Sequence, residues 1–411
     1  MESTSKIQIC KKATETKKQT EFIINLILLL IYPLFTIPYI IQGIKNKQWG
    51  AFFCLSVLMA FVGYLIIPTE SEDLYRIYEG FKEISGLDLR TQLMLLAVKM
   101  DFLLSSMWLT IDHLGLQKEL IPFTSVLIGY TSFFYVLYKW QKTHLGIRKE
   151  VVYLSFVILA FSLVSFRNYA LNIRNFVAAS SLMYGVFQLY FYNRKSGWIF
   201  IALAPLCHIM TMMIVPLVLL ARFNVVPTKW CRIFFIISFV GFFIDVSGPI
   251  SSYVTGLAFE NESLQAEQAT HFESDRYAGE SSGANYSTNG LIAMYFGYFT
   301  NVFLYLYLIE GKKKESQIRN LSYLIVGMAN FLFHMSIFYG RFMIVFRGIL
   351  LLLLLWEYGD GVYTKYQLKF IKIYSVLSFI SFLMSMYMTR DSLAGSLRIF
   401  YQSPLYYMFL S

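Results

Sequence analysis

Residues 197–220 read GWIFIALAPLCHIMTMMIVPLVLL, an apolar run interrupted by Pro205, His208 and Pro216. Its length suits one bilayer crossing, because about 20 apolar residues rising 1.5 Å each span the hydrocarbon. A single crossing, however, puts the basic stretch 222–232, with Arg222, Lys229 and Arg232, on the outer side and inverts every later loop. A re-entrant pair, rising over 197–207 and returning over 209–221, keeps all later loops on the side their charge favours. Proline removes a helix hydrogen bond and clashes with the preceding turn, so Pro205 and Pro216 support a break. An ordinary kinked span is the alternative. On the re-entrant reading His208 lies about 16 Å from the cytoplasmic face, near the bilayer centre. Non-helical backbone at that depth needs protein or a water-filled cavity around it.

The rest of the chain belongs to the same class. Hydrophobic residues make up 57% of the 411 and charged residues 15%, where a soluble domain carries about 25% charged residues. Further apolar runs cover 22–41, 50–68, 120–138, 151–166, 172–191, 233–250, 290–309, 320–339, 342–358 and 373–389. The expected fold is therefore an all-α integral membrane protein, a polytopic bundle of about ten to twelve transmembrane helices with a re-entrant segment around His208. Its parts are a polar N-terminal segment over 1–21, one membrane domain over 22–389, and a C-terminal tail over 390–411. The polar stretch before the first span does not read as a cleavable leader.

The net charge of +10 does not indicate nucleic acid, because the bases lie in short loops between spans, as positive-inside orientation produces. Basic connections occur at 139–149, Arg194/Lys195, 222–232, Lys312–Lys314 with Arg319, and Lys365/Lys369/Lys372. The acidic stretches 69–92 and 251–288 are expected to be outer loops. Residues 93–111, with Lys99 and Asp101, read as an amphipathic or partly inserted outer segment, which leaves the N-terminus outside against its Lys11, Lys12, Lys17 and Lys18. The four cysteines have no metal-ligand spacing and imply no disulfide framework.

A charged side chain inside a span costs about 2.5–3.5 kcal/mol on insertion scales and usually faces a cavity or a partner. From 167 to 185 the chain reads RNYALNIRNFVAASSLMYG. On one continuous helix, Arg167 and Arg174 stack two turns apart, and Ala178, Ser181 and Gly185 continue a small-residue stripe that admits a close neighbour. Arg167 also suits a headgroup anchor. Arg174 lies deeper, and its planar, permanently charged fork suits a phosphate or pyrophosphate. His208 titrates near neutrality and suits proton transfer, although a lone histidine can equally be packed into a core. His334, Arg341 and Arg347 follow in FLFHMSIFYGRFMIVFRG, with Arg341 at the outer turn and Arg347 deeper, where Asp245 is a candidate partner. In the outer loops acids stand among aromatics: Asp73 with Tyr75 and Tyr78, then Phe259, His271, Phe272, Arg276, Tyr277 and Tyr286. Such sets suit sugars, whose faces are apolar and rims hydroxylated, but also ordinary solvated loops.

Taken in order, these pieces resemble the EpsG family of bacterial membrane proteins, Wzy-like polysaccharide polymerases. The resemblance rests on Glu72-Asp73-Leu74-Tyr75-Arg76-Ile77-Tyr78 after the second span, Arg174 to Ala178 at a helix start, Ala204 to His208 in the next apolar segment, and Arg341 opening a late span. It is strongest over 150–222. Leu74 separates Asp73 from Tyr75 where the family has Asp-Tyr adjacent, and Asn175 stands where it has Gln. The resemblance implies a substrate of oligosaccharide repeat units on undecaprenyl pyrophosphate, polymerised at the outer leaflet of the bacterial cytoplasmic membrane. It implies pyrophosphate binding by Arg174, Arg341 and Arg167, catalysis by His208 and Asp73, and glycan contacts from Tyr75 and Tyr78. A chain-length-regulating membrane protein is an implied partner. No Asp-x-Asp motif or His/Cys cluster calls for a metal, and no cofactor is expected. Another polyprenyl-phosphate-dependent glycosyltransferase, or a flippase of lipid-linked glycan, would use similar residues. A flippase commonly shows pseudo-symmetric broken helices in both halves, and here breakage is seen in one.

Overall fold

The structure, a computed structural model, describes residues 2–70, 72–98, 102–143, 150–244, 288–310, 316–359, 364–400 and 402–409. Lys99, Asp101, Asp245 and the aromatic and charged residues of 251–287 lie outside the described residues. All secondary structure in the described residues is helical. The first half contains α1 (Glu2–Ile31), α2 (Ile37–Lys45), α3 (Trp49–Tyr64), α4 (Asp73–Ser85), α5 (Leu89–Val98), α6 (Phe102–His113), α7 (Leu120–Thr143), α8 (Glu150–Ser162) and α9 (Phe166–Ala170). Then follow α10 (Ile173–Tyr192), α11 (Gly197–Cys207), α12 (Val215–Arg222), α13 (Thr228–Ile237), α14 (Thr288–Glu310), α15 (Gln317–Phe331), α16 (Ser336–Gly359) and α17 (Lys365–Met388). Residues after Met388 form α18 (Arg390–Leu393), a 3₁₀ turn over Ser396–Phe400, and α19 (Pro404–Phe409).

Among the described residues four helices are long and apolar enough to cross a membrane: Leu120–Thr143, Leu291–Glu310, Phe338–Gly359 and Lys365–Met388. That is fewer than the ten to twelve expected; some apolar runs are cut into shorter helices, and part of the run 233–250 lies outside the described residues. The run 22–41 is split because Tyr32 is extended and Pro33 opens a 3₁₀ turn before α2; proline cannot continue the helix it interrupts. The run 197–220 is split at His208, whose backbone is extended (φ −161°, ψ 121°) between α11 and a 3₁₀ turn over Ile209–Met213.

The two ends of that broken segment are fastened together. Arg222, at the end of α12, donates to the Asn193 side chain in the turn that precedes α11. It also donates to Gln317 Oε1 (2.8 Å), and the Tyr190 hydroxyl donates to the Val218 carbonyl (2.9 Å). Asn193 takes the left-handed conformation (φ 52°) that closes this tight turn, one that Asn tolerates better than most residues.

Residues 167–185 are not one helix. Leu171 and Asn172 (φ −105°, ψ 51°) separate α9 from α10, so Arg167 and Arg174 do not share a face. Carbonyls at this bend bond other elements: Ser125 Oγ donates to Tyr169 O (2.7 Å) and the Leu74 N–H to Leu171 O (3.2 Å). The Asn172 amide bonds Asn168 (2.9 Å), the local competition that makes Asn a poor helix-interior residue.

The expected small-residue stripe does bring two helices close. Cβ atoms built at Gly185 and Gly197 would lie 2.8 and 2.6 Å from the other's carbonyl oxygen, so only glycine fits either position without movement. Ser181 Oγ adds a hydrogen bond to Phe200 O (2.8 Å). Elsewhere α3 packs along α7 and α8 along α17, with Phe52 on Phe134 and Ser162 bonded to Ser378 (3.0 Å).

Candidate functional site

Asp73 is the first residue of α4, and Arg174 the second residue of α10. Their side chains form a two-point ion pair, Arg174 Nη2 to Asp73 Oδ1 at 2.5 Å and Nε to Oδ2 at 3.1 Å. The fork geometry holds the carboxylate in the plane of the guanidinium. Asp73 also stabilises the N-terminal turn of its own helix, and Arg174 stands where α10 presents its free N–H groups. Two helix N-termini and a guanidinium thus meet around one carboxylate, and the Leu74–Leu171 backbone bond fixes their approach. The pair is partly open, with side-chain exposures of 27% for Arg174 and 13% for Asp73.

Helix register brings two more of the expected residues to this level. Helix α11 runs antiparallel to α10, with Gly197 beside Gly185 and Phe200 beside Ser181. Continued along both helices, that register carries His208 to the first turns of α10, where Arg174 stands, and the Ile209–Met213 turn touches α10. His208 is buried; its N–H bonds Ala204 O (3.0 Å), and its own carbonyl accepts from the Thr211 hydroxyl (2.8 Å). Helix α16 instead runs parallel to α10, with Gly348 against Met183 and Trp356 against Phe191. That register sets Arg341 within a turn of Arg174, and Arg347 about two turns further along.

The remaining expected residues do not converge in the same way. Arg167 is exposed on α9. Tyr75 is half-buried on α4. Tyr78 is buried, with Trp108 edge-on at 5.7 Å and Lys118 over its ring at 4.9 Å. Burial, followed by the Glu119 charge and then Tyr64, pushes its phenol well above the ordinary tyrosine value. Its enclosed ring offers no free face to a sugar. Among the described residues no group of three His, Cys, Asp or Glu side chains converges.

Sequence reasoning quoted Glu72 without a role of its own and missed its contact with Ser392. Glu72 and Ser392 are both buried, and Ser392 Oγ lies 3.3 Å from Glu72 Oε2. They are separated by 320 positions, and no periodic pattern marks such a contact. It also missed Arg319, read as a loop base. Arg319 is buried and bonds Glu357 Oε1 through Nε (2.9 Å) and Nη2 (2.6 Å). Only the unusual placement of Glu357 at the end of the apolar run 342–358 hinted at a partner.

Helices long and apolar enough to cross a membrane, with charged residues at one level among them, define a helical membrane protein. The EpsG family model matches residues 71–403, most of the chain, and the protein belongs to the EpsG family. At the level of the family this is a Wzy-like polysaccharide polymerase. No curated protein and no solved structure matches the chain.

Proposed function

We infer that this protein joins lipid-linked oligosaccharide repeat units into a bacterial surface polysaccharide by glycosyl transfer at the outer leaflet of the cytoplasmic membrane. The observation that carries this reading is the Arg174–Asp73 pair, partly open and level with His208 and Arg341, in a chain of the EpsG family. The donor is a glycan on undecaprenyl pyrophosphate, and the acceptor a hydroxyl of the next lipid-linked unit. On this reading 197–221 is a re-entrant hairpin, supported by the bond between Arg222 and Asn193, which flank it.

The chemistry follows from the arrangement. The pyrophosphate competes with Asp73 for the Arg174 fork, and Arg341 adds a second cation at the same level. As the bond between the anomeric carbon and the phosphate oxygen breaks, negative charge grows on the pyrophosphate. Fixed guanidinium groups stabilise that charge more in the transition state than in the ground state. The acceptor oxygen forms the new glycosidic bond, and its proton passes to His208 or to the carboxylate of Asp73 released from Arg174. No metal is required, and a chain-length-regulating membrane protein is a proposed partner.

The test is a gel of lipid-linked and surface glycan from cells lacking the gene, rescued with wild type or Arg174→Ala at matched membrane expression. Polymerisation predicts single repeat units on the lipid at the outer face and no long ladder from Arg174→Ala. A normal ladder from that variant removes Arg174 from the site. Repeat units trapped at the inner face in the null strain identify a flippase instead.

A further inference from the structure

Glu72 precedes Asp73, and its side chain does something other than its position suggests. It occupies the N-cap of α4 but makes no side-chain cap to that helix. It turns back instead, accepting the Thr69 N–H at 2.8 Å and the Ser392 hydroxyl at 3.3 Å on the same oxygen. Ser392 lies on α18, just beyond the last long helix, and its carbonyl accepts the Ile67 N–H at 3.0 Å. Ile67 and Glu72 are therefore both fastened to α18. Glu72 is 6% exposed and Ser392 3%. Burying a carboxylate is costly unless hydrogen bonds compensate it, and an apolar side chain would fill this space at lower cost. A glutamate here is explained by what it holds.

What it holds is the peptide that carries Asp73. On one side the Leu74 N–H bonds the Leu171 carbonyl and Asp73 meets Arg174. On the other, Glu72 is tied to Thr69 and Ser392. Asp73 is thus clamped between the start of α10 and a segment more than 300 residues away. We propose that Glu72 and Ser392 are positioning residues that set where Asp73 meets Arg174, and so how the fork is presented to a pyrophosphate. This rests on the polymerase reading of the Asp73–Arg174 site. The role belongs to accepting oxygens on residue 72 and a hydroxyl on residue 392, so glutamine and threonine at these positions preserve it.

The experiment uses the full chain in proteoliposomes, with lipid-linked repeat units extracted from cells lacking the gene as substrate. Misplacing a reacting group by about 1 Å costs up to about 100-fold in rate, so Glu72→Ala and Ser392→Ala are expected to lower kcat about 10- to 100-fold. KM should change little, because the loss falls on transition-state geometry rather than on uniform binding. Glu72→Gln and Ser392→Thr should restore most of the rate. Glu72→Ala added to Asp73→Asn should be no slower than Asp73→Asn alone, since residues acting through one another are not additive. Additive losses, or near-normal rates from both alanine variants, overturn the proposal while Asp73→Asn and Arg174→Ala still slow polymerisation strongly. If those two variants polymerise normally, the site reading itself fails and the proposal falls with it. Should Glu72→Ala fail to insert, Ser392→Ala and the two conservative variants decide the matter.

Discussion

Two arginine–carboxylate pairs stand at opposite ends of the helical bundle, Arg174–Asp73 at the start of α10 and Arg319–Glu357 at the end of α16. Arg319 is 2% exposed against 27% for Arg174, while both carboxylates are 13% exposed. Glu357 has further donors besides its arginine: the Tyr307 hydroxyl and Gln367 Nε2 (3.0 Å) both bond its second oxygen. Gln367 is itself held in a capping box with Thr364 at the start of α17. The pair joins α14, α15, α16 and α17 into one brace, and its bonds are directed inward. Arg174 lies between two helix starts and keeps part of its surface open. An arginine and a carboxylate serve as a fastening where every bond is enclosed, while the other such pair leaves its guanidinium partly accessible.

Breaking the enclosed pair should have the largest effect. Glu357→Ala leaves a buried charge without its carboxylate, which costs about 3–5 kcal/mol; thermal unfolding in detergent should show it, with activity lost in proportion to folded protein. Arg319→Met combined with Glu357→Leu should recover much of that stability, because paired apolar replacements of buried ion pairs are often neutral or better. Arg174→Ala should behave in the opposite way. Removing one charge-stabilising donor costs about 10²–10³ in kcat, while the melting curve should shift little, and Arg174→Lys should not restore the rate because lysine lacks the fork. A melting point that falls as far for Arg174→Ala as for Glu357→Ala would erase the distinction between the two pairs.

Smaller effects sharpen the contrast around α10. Gly185→Ala places a methyl 2.8 Å from the Gly197 carbonyl oxygen. Overpacking costs about 1–3 kcal/mol against about 1 kcal/mol gained in helix propensity, so a net loss of stability is expected. Polymerisation should fall with it, because α11 leads directly into His208. The smallest change should come from Tyr78→Phe. The Tyr78 hydroxyl is buried with no hydrogen-bond partner among the described residues, so its removal should be neutral or slightly stabilising. Burial holds the phenol protonated well above neutrality, so the pH profile of glycan polymerisation should be unchanged. An altered chain length or altered profile would return Tyr78 to the glycan site.

Much of this was legible along the chain. The apolar runs marked a helical membrane protein, Pro205 and Pro216 marked the interrupted segment, and Gly185 with Ser181 marked the face on which α11 lies. The spacing of Arg167 and Arg174 misled, because it assumed a helix running through Leu171 and Asn172. That assumption fails for a tertiary reason: the Tyr169 and Leu171 carbonyls bond Ser125 and Leu74 rather than continuing the helix.

By itself the sequence determined the class, the break at His208 and the charged residues that burial would make expensive, because hydropathy and proline act locally. The tertiary structure decided which arginine met which carboxylate. Asp73 and Arg174 are 101 positions apart, Glu72 and Ser392 320. No local preference selects such partners; a buried or half-buried polar group takes whichever complementary group the packed helices bring within bonding distance.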